Sequence, residues 1–371
     1  MKVLLVNNQF SIGGAARVAT VMCNELMKNN VELHIVTDNI NWNIDYKLDN
    51  NVTLHSININ PKASRIWQKF AKMMKCIKDI RKYIRDIRPD IIVAIQSDMY
   101  VRTLLANIGL NIPLVVADHT TFTRKQDRLT NLTRYCLYRY ADGISILTHK
   151  DESLLGNKYP QKRVIYNPLS FDVYNGDSLR RKNILCVGRL DVWEIKGFDT
   201  IIKIWSKIEK IYPDWQLEIA GFGSESSIAS LKSQIIEYGI EKRVSLLGHV
   251  EDMQSLYQHS SIFVLPSRVE GFPMALLEAM SQGCACLAFN LDGATYEMLD
   301  EECGIVVPDG DNKELTNGLL NLMNSSILRK KYADKAKIKC MHFTKEAFVK
   351  EWISYLNEAL EKHYDKNKIR S

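Results

Sequence analysis

Short apolar runs punctuate the first half of the chain at Val3–Val6, Glu32–Thr37, Ile91–Ile95, Pro113–Ala117 and Gly143–Leu147. Near-continuous runs of this length read as strands buried on both faces. Stretches with helical periodicity lie between most of them, beginning with a helix that runs to about Asn29. The segment Arg134–Ala141 reads as a helix ending in a turn, and Thr148 as the cap of the next helix. Val164–Leu169 reads as a last strand broken by Pro168, where the chain passes to a second domain. The second half repeats the alternation. Apolar runs end at Gly188, Gly221, Gly248 and Leu265, Cys284–Phe289 follows, and Cys303–Pro308 forms an edge strand. The tail from Lys313 to Lys362 reads as helical. Strands alternating with helices predict parallel sheets covered by helices, an α/β class. A length of 371 residues suits two such domains, each able to bury a core.

One helix stands apart. Between Lys62 and Arg88, the residues Ile66, Phe70, Met73, Ile77, Ile80, Ile84 and Ile87 recur at steps of three and four, one apolar stripe. Lys69, Lys72, Lys75, Lys78, Lys82 and Arg85 occupy other faces. Such a helix either lies on an anionic lipid surface or packs its stripe inward under a solvated basic face, and the two can coexist. The charge balance points the same way. Residues 1–170 carry 24 Lys/Arg against 14 Asp/Glu, and residues 171–371 carry 25 against 29. A basic first half implies an acidic partner for that half. Nucleic acid is disfavoured, because aromatic interleaving along the helix stops at Trp67, Phe70 and Tyr83. The apolar start of the chain is too short for a signal peptide, and no run approaches the length of a membrane span. Eight scattered cysteines without a Cys-x-x-Cys pair suit a reducing compartment.

The chemistry concentrates at strand ends. Ser267–Gly283 reads as a tight loop, a helix opened by Pro273, and a stop at Gly283. Gly271 lets a bound group approach the backbone, and the N–H groups from Phe272 to Ala275 form an anion site. Glu270 and Glu278 flank that site. Carboxylates repel phosphate, so they should grip neutral hydroxyls of a sugar or ribose nearby. In Gly188–Asp199, a strand end carries Arg189 and Lys196 toward a helix start after Gly197. Two cations there suit a pyrophosphate. Pro113–Ala117 delivers Asp118 and His119 to the ligand edge of its sheet. Asp118 either orients the His119 ring or caps the next segment. Gly13 and Gly14 open the first helix at the first strand end. Arg17 on its first turn faces an anionic ligand or solvent.

Glu270 and Glu278 stand eight positions apart in a run of Glu-Gly-Phe-Pro-Met-Ala-Leu-Leu-Glu. With Gly188–Leu190 and Lys196–Gly197, this resembles the signature of retaining, nucleotide-sugar-dependent glycosyltransferases of family 4, group 1. The resemblance runs from the glycine pair to the tail. Bacterial enzymes that build polysaccharide, O-antigen or lipid-linked oligosaccharide are similar. It implies the GT-B fold: two Rossmann-like domains facing a central cleft, an acceptor-binding domain over 1–168 and a nucleotide-sugar domain over 169–344. The helix at about 345–371 would pack back on the first. It implies donor contacts at Gly14, Arg189, Lys196, Gly248, Glu270, Gly271, Phe272, Pro273, Met274 and Glu278. Gly13 and Arg17 would lie near the acceptor. His119 would face the donor sugar, with His119, Arg189, Lys196 and Glu270 as the catalytic group.

The expected reaction moves a hexose or N-acetylhexosamine from a nucleotide sugar, leaning to UDP, to a saccharide or polyprenyl-diphosphate-linked acceptor with retention of configuration. No Asp-x-Asp motif appears, so side-chain cations would carry the leaving charge without a metal or other cofactor. The expected place is the cytoplasm, peripheral on the inner membrane face through residues 62–88. Two alternatives remain: a nucleotide-sugar-binding protein without transfer, and a nucleotide-sugar epimerase on the same architecture.

Overall fold

The computed structural model describes residues 1–8, 14–38, 47–57, 66–122, 127–159, 161–291 and 294–370. The chain divides into two units, one of Met1–Pro168 with Lys345–Ser371 and one of Leu169–Thr344. Gly13 and residues 62–65, on which sequence readings fall, lie outside the described residues.

In the first unit the elements run β1 (Lys2–Asn7), α1 (Gly14–Lys28), β2 (Glu32–Asp38), β3 (Thr53–Ile57), α2 (Ile66–Ile87), β4 (Ile91–Ile95), α3 (Ser97–Asn107) and β5 (Leu114–Ala117). Then come α4 (Arg128–Leu132), a π-helical turn at Thr133–Leu137, a 3-10 turn at Tyr138–Tyr140, β6 (Gly143–Ile146), α5 (His149–Leu155) and β7 (Lys162–Val164). The seven strands pair in parallel in the order β3-β2-β1-β4-β5-β6-β7. Residues of β1, β4 and β5 are buried on both faces, as a helix-covered parallel sheet demands. Thr148 caps α5 by accepting from the Asp151 N–H.

The second unit runs β8 (Arg181–Val187), α6 (Phe198–Ile208), β9 (Gln216–Ala220), α7 (Glu225–Glu237), β10 (Val244–Gly248), α8 (Met253–Gln258), β11 (Ser260–Leu265) and α9 (Met274–Ser281). It continues with β12 (Ala285–Phe289), α10 (Ala294–Met298), β13 (Ile305–Val307), α11 (Asn312–Asn324) and α12 (Ser326–Cys340). Its six parallel strands order as β10-β9-β8-β11-β12-β13. The last helix, α13 (Lys345–Arg370), belongs to the first unit. There the Tyr355 hydroxyl accepts from the Ile144 N–H at 2.5 Å, and Phe348, Trp352 and Leu356 are buried on one stripe.

Four elements differ from the sequence reading. β3 was not anticipated; its Thr-Leu-His-Ser-Ile run is half-polar, as an edge strand is. The strand expected at Val164–Leu169 is β7, displaced toward Lys162. One further ladder bond, Ile165 N–H to Ile146 O at 2.9 Å, precedes the departure toward Pro168. Arg134–Ala141 is a π turn and a 3-10 turn instead of an α-helix. The tail is three helices, broken at Ser325, which caps α12, and at the turn Met341–Phe343.

The stripe on α2 is also only partly inward. Ile77, Ile80 and Ile84 are buried against the first unit's core, while Phe70 is 57% exposed. Trp67, outside the stripe, is 81% exposed, and Met74 is 38% exposed. Among the described residues, no helix is long and apolar enough to cross a membrane. All eight cysteines are free thiols.

Candidate active site

Strand order reverses direction at β8 and β11 in the second unit, so the loops after these two strands border the crevice where such sheets bind ligands. Two glycines let the loops meet. Gly197 has φ +68°, and a Cβ there would lie 1.8 Å from Pro266 O in the loop after β11. Gly221, after β9, has φ +152°, and a Cβ there would lie 1.8 Å from Gly188 O. No other residue fits backbone that close. The Arg268 N–H donates to Ile195 O at 2.8 Å, and its guanidinium forks onto Asp199 at 3.0 and 2.7 Å. The loop carrying Lys196 is thereby fastened to the loop carrying Glu270.

These two side chains touch. Lys196 Nζ lies 2.6 Å from Glu270 Oε1, and Ser267 Oγ donates to the same oxygen at 2.7 Å. Both side chains are mostly buried. Glu270 leads into Gly271, Phe272 and Pro273 at the head of α9, whose first turn has no side-chain cap. Its leading N–H groups therefore point outward as an anion site, reinforced by the helix dipole. Met274 is half-buried on the first turn, and Phe272 packs edge-on against Phe343. Arg189 is exposed. It contributes, after hydrogen bonds from Ser224 and Ser227, to holding Asp191 below the usual carboxylate range. Gly248 closes β10 with φ +67°, and its carbonyl accepts from the Gly221 N–H at 2.8 Å.

Glu278 is only 7% exposed. Ser170 Oγ donates to its Oε1 at 2.6 Å and the Tyr257 hydroxyl to its Oε2 at 3.0 Å. A carboxylate has about four acceptor positions, and these two hydroxyls occupy one on each oxygen. Ser170, Tyr257 and Ser267 were not visible from sequence, because isolated hydroxyls carry no spacing signal.

In the first unit the switch falls between β1 and β4. Gly14 is the exposed first residue of α1, and Arg17 is half-buried on its first turn. Gln96, directly after β4, has φ +69°, a strained conformation at the ligand edge that the sequence did not announce. His119 follows β5 by two positions, with both ring nitrogens shut off from solvent and no hydrogen bond among the described residues. Desolvation holds its pKa below the ordinary histidine range, opposed by the Asp118 charge and by Asn167. Asp118 makes no hydrogen bond to the ring. It pairs with Arg134 at 2.9 Å and accepts from the Thr120 hydroxyl at 2.7 Å and the Tyr138 hydroxyl at 2.8 Å. Of the two roles open to Asp118, holding the next segment is the one observed. Among the described residues, no group of three or more His, Cys, Asp or Glu is placed to hold a metal ion.

Two parallel Rossmann-like sheets with sites at their switch points define the GT-B class. Solved structures share the fold across almost the whole chain. Sucrose-phosphate synthase from Thermosynechococcus elongatus superposes with a TM-score of 0.83 at 16% identity, over 97% of this chain and 99% of that one. The lipopolysaccharide outer core galactosyltransferase WaaB gives 0.75 at 18% identity, over 98% and 99%. Anabaena HepE in complex with UDP gives 0.77 at 17%, over 96% and 100%. Two family models match: "Glycosyltransferase Family 4" over residues 12–172 and "Glycosyl transferases group 1" over residues 181–325. The chain belongs to the family 4, group 1 glycosyltransferases. A Haemophilus influenzae protein described as an uncharacterized glycosyltransferase is 27% identical, over 94% of this chain and 97% of its own. A Campylobacter jejuni α-1,4-N-acetyl-D-galactosaminyltransferase acting on an undecaprenol-diphosphate saccharide is 25% identical, over 96% and 99%.

Proposed function

We propose that the protein transfers a hexose or N-acetylhexosamine from a UDP-sugar to a saccharide or lipid-linked saccharide in cell-surface glycan biosynthesis, with retention of configuration and without a metal ion. The observation that carries this is the Lys196–Glu270 pair at the uncapped mouth of α9. One cation and a row of amides suit a leaving diphosphate, while the adjoining carboxylate suits the donor's hydroxyls. Arg189 supplies a second cation on the same loop. In the reaction, the acceptor hydroxyl attacks the anomeric carbon on the face the diphosphate leaves. The carbon–oxygen bond breaks with its electrons passing to the diphosphate, which takes the acceptor's proton. Glu278 would hold the ribose, Gly248 would border the base, and His119 with Gly14 would meet the donor from the first unit. Gly13 and Arg17 would meet the acceptor. The C. jejuni relative named for a lipid-linked saccharide, together with the outward face of α2, supports a lipid-linked acceptor at the inner face of the plasma membrane.

The test incubates the protein with UDP-sugars and a polyprenyl-diphosphate saccharide, with and without EDTA, and reads product mass and anomeric configuration. A product heavier by one sugar, of retained configuration, unaffected by EDTA and absent in Glu270→Ala, supports the reading. Nucleotide binding with neither transfer nor hydrolysis marks a binding protein. A nucleotide sugar of unchanged mass and altered configuration marks an epimerase.

A further inference from the structure

Arg134 spends its whole guanidinium on the three residues that bracket and follow His119 in the chain. Its Nε donates to Asp118 Oδ2 at 2.9 Å and its Nη2 to Asp118 Oδ1 at 3.0 Å. Nη2 also reaches Thr120 O at 3.0 Å and the Thr120 hydroxyl, and Nη1 reaches Thr121 O at 3.2 Å. The guanidinium carbon lies 3.9 Å over the Phe122 ring. Both partners of the ion pair are about fully buried. A buried pair this well satisfied is costly to keep for stability alone, since apolar residues of similar volume commonly do as well. Arg134 stands in the π-helical turn Thr133–Leu137, a local widening that recurs at functional sites.

A second set of bonds locks the same loop from the other side. Asp151 Oδ1 accepts from the Phe122 N–H at 2.8 Å and the Thr121 hydroxyl at 3.1 Å, and Thr148 holds Asp151 Oδ2 at 2.7 Å. Every one of these bonds goes to a neighbour of His119 and none to its ring, whose two nitrogens are buried and unbonded. The Oδ1 of Asn167, whose side chain acts on that ring, is buried and unbonded too. The backbone around the imidazole is fixed by these bonds, while the ring itself is left to the neighbouring Asn167 side chain and to a ligand.

We propose that Arg134 is a positioning residue that sets the His119 imidazole for its ligand, acting through Asp118 and Thr120. This rests on His119 meeting the donor sugar. Tyr138, by bonding Asp118, is a second support of the same kind.

The experiment compares Arg134→Lys, Tyr138→Phe, His119→Ala and the double variant Arg134→Lys/His119→Ala. Turnover is read with UDP-N-acetylglucosamine, UDP affinity by calorimetry, and the His119 ring by histidine-selective NMR of the full chain. Arg134→Lys should lower kcat about tenfold to hundredfold with unchanged UDP affinity. The double variant should be no slower than His119→Ala, because both changes remove one contribution, whereas a merely structural loss would multiply. The His119 ring signals should shift in both Arg134→Lys and Tyr138→Phe. Multiplicative losses, or unshifted His119 signals, overturn the proposal. Tyr138→Phe removes one bond only and carries the same readouts where Arg134→Lys does not fold. Where the parent turns over no nucleotide sugar, the function reading fails, and the ring signals alone decide whether Arg134 positions His119.

Discussion

Lys196 Nζ is held 2.6 Å from Glu270 Oε1 by two loops that Gly197 and Arg268 bind together. The two charges the sequence assigned to different parts of one donor neutralise each other. On the proposed reading, a diphosphate entering at the head of α9 would compete with Glu270 for the ammonium, and a sugar hydroxyl donating to Glu270 would make up for the shared cation. Lys196→Ala should lower both UDP affinity and turnover, the latter about 10²–10³-fold, as for loss of one donor to a developing oxyanion. Glu270→Gln keeps an acceptor for Ser267 while removing the competing charge. Its turnover should fall as UDP affinity stays equal to or above the parent's. Calorimetry with UDP beside steady-state turnover separates the two, and a Glu270→Gln variant that loses UDP binding would refute the competition.

His119 sets the expected pH response. Burial favours its neutral form, so its folded pKa is below the unfolded value of about 6.5. Above that value both states are neutral and the group adds nothing to the pH dependence. As pH falls below it, the unfolded chain takes up the proton first, so stability declines through the window down to the lower folded pKa. Urea unfolding at pH 7.5 and pH 5.5 should show a loss that His119→Asn reduces. His55, also held below the ordinary range by desolvation, leaves a residual slope of the same sign in both proteins. Equal slopes in parent and variant would show that the imidazole is not desolvated.

Glu278 tests how a buried carboxylate is held. Ser170→Ala and Tyr257→Phe each remove one donor to the carboxylate. Each should destabilise by about 1 kcal/mol. Glu278→Ala removes the acceptor of both hydroxyls and should destabilise more than either single change, by about 1–3 kcal/mol. Denaturant midpoints at constant slope measure this. If the ribose is also bound there, Tyr257→Phe should change UDP affinity less than Glu278→Ala does. Stability unmoved by all three would mean that the two hydroxyl contacts contribute nothing net.

The strands were legible because parallel sheets bury both faces and so write continuous apolar runs, as Ile91–Ile95 does. Loop and helix starts were legible where glycine or proline is required, at Gly197, Pro273 and Gly283. What stayed hidden was tertiary. The five residues of β3, Thr-Leu-His-Ser-Ile, make neither an apolar run nor a clean alternation, and β7 is three residues long. The pairing of Lys196 with Glu270, 74 positions apart, depends on a sheet order that spacing cannot give. Arg134 entered the sequence reading only as the start of a helical segment; the fold shows it buried on Asp118. On α2, periodicity placed Phe70 with Ile77 and Ile80, but only the later turns reach the core, and Phe70 is left exposed beyond it.

That overhang yields the last prediction. From Trp67 to Met74 the outward face of α2 is apolar, with Trp67, Phe70 and Met74 at spacings of three and four. The same face continues as Lys75, Lys78, Lys82 and Arg85, all exposed. Arg81, on the next turn of this face, ties the helix down by donating to Ala106 O at 2.7 Å and Ile108 O at 2.6 Å. An apolar tip followed by a cationic stripe matches an anionic bilayer surface, where the aromatic ring enters the headgroup layer and each cation contributes about 1 kcal/mol. The full-length protein should float with vesicles containing anionic phospholipid at low salt and release from them as salt rises past the point where charges are screened. Trp67→Ser/Phe70→Ser should weaken binding at every salt concentration without changing melting temperature, since both side chains already face solvent. Lys75→Glu/Lys78→Glu should abolish the preference for anionic over neutral vesicles. Flotation that is equal on both vesicle types, or unaffected by the Trp67/Phe70 change, would leave α2 as a solvated helix and return the acceptor question to soluble saccharides.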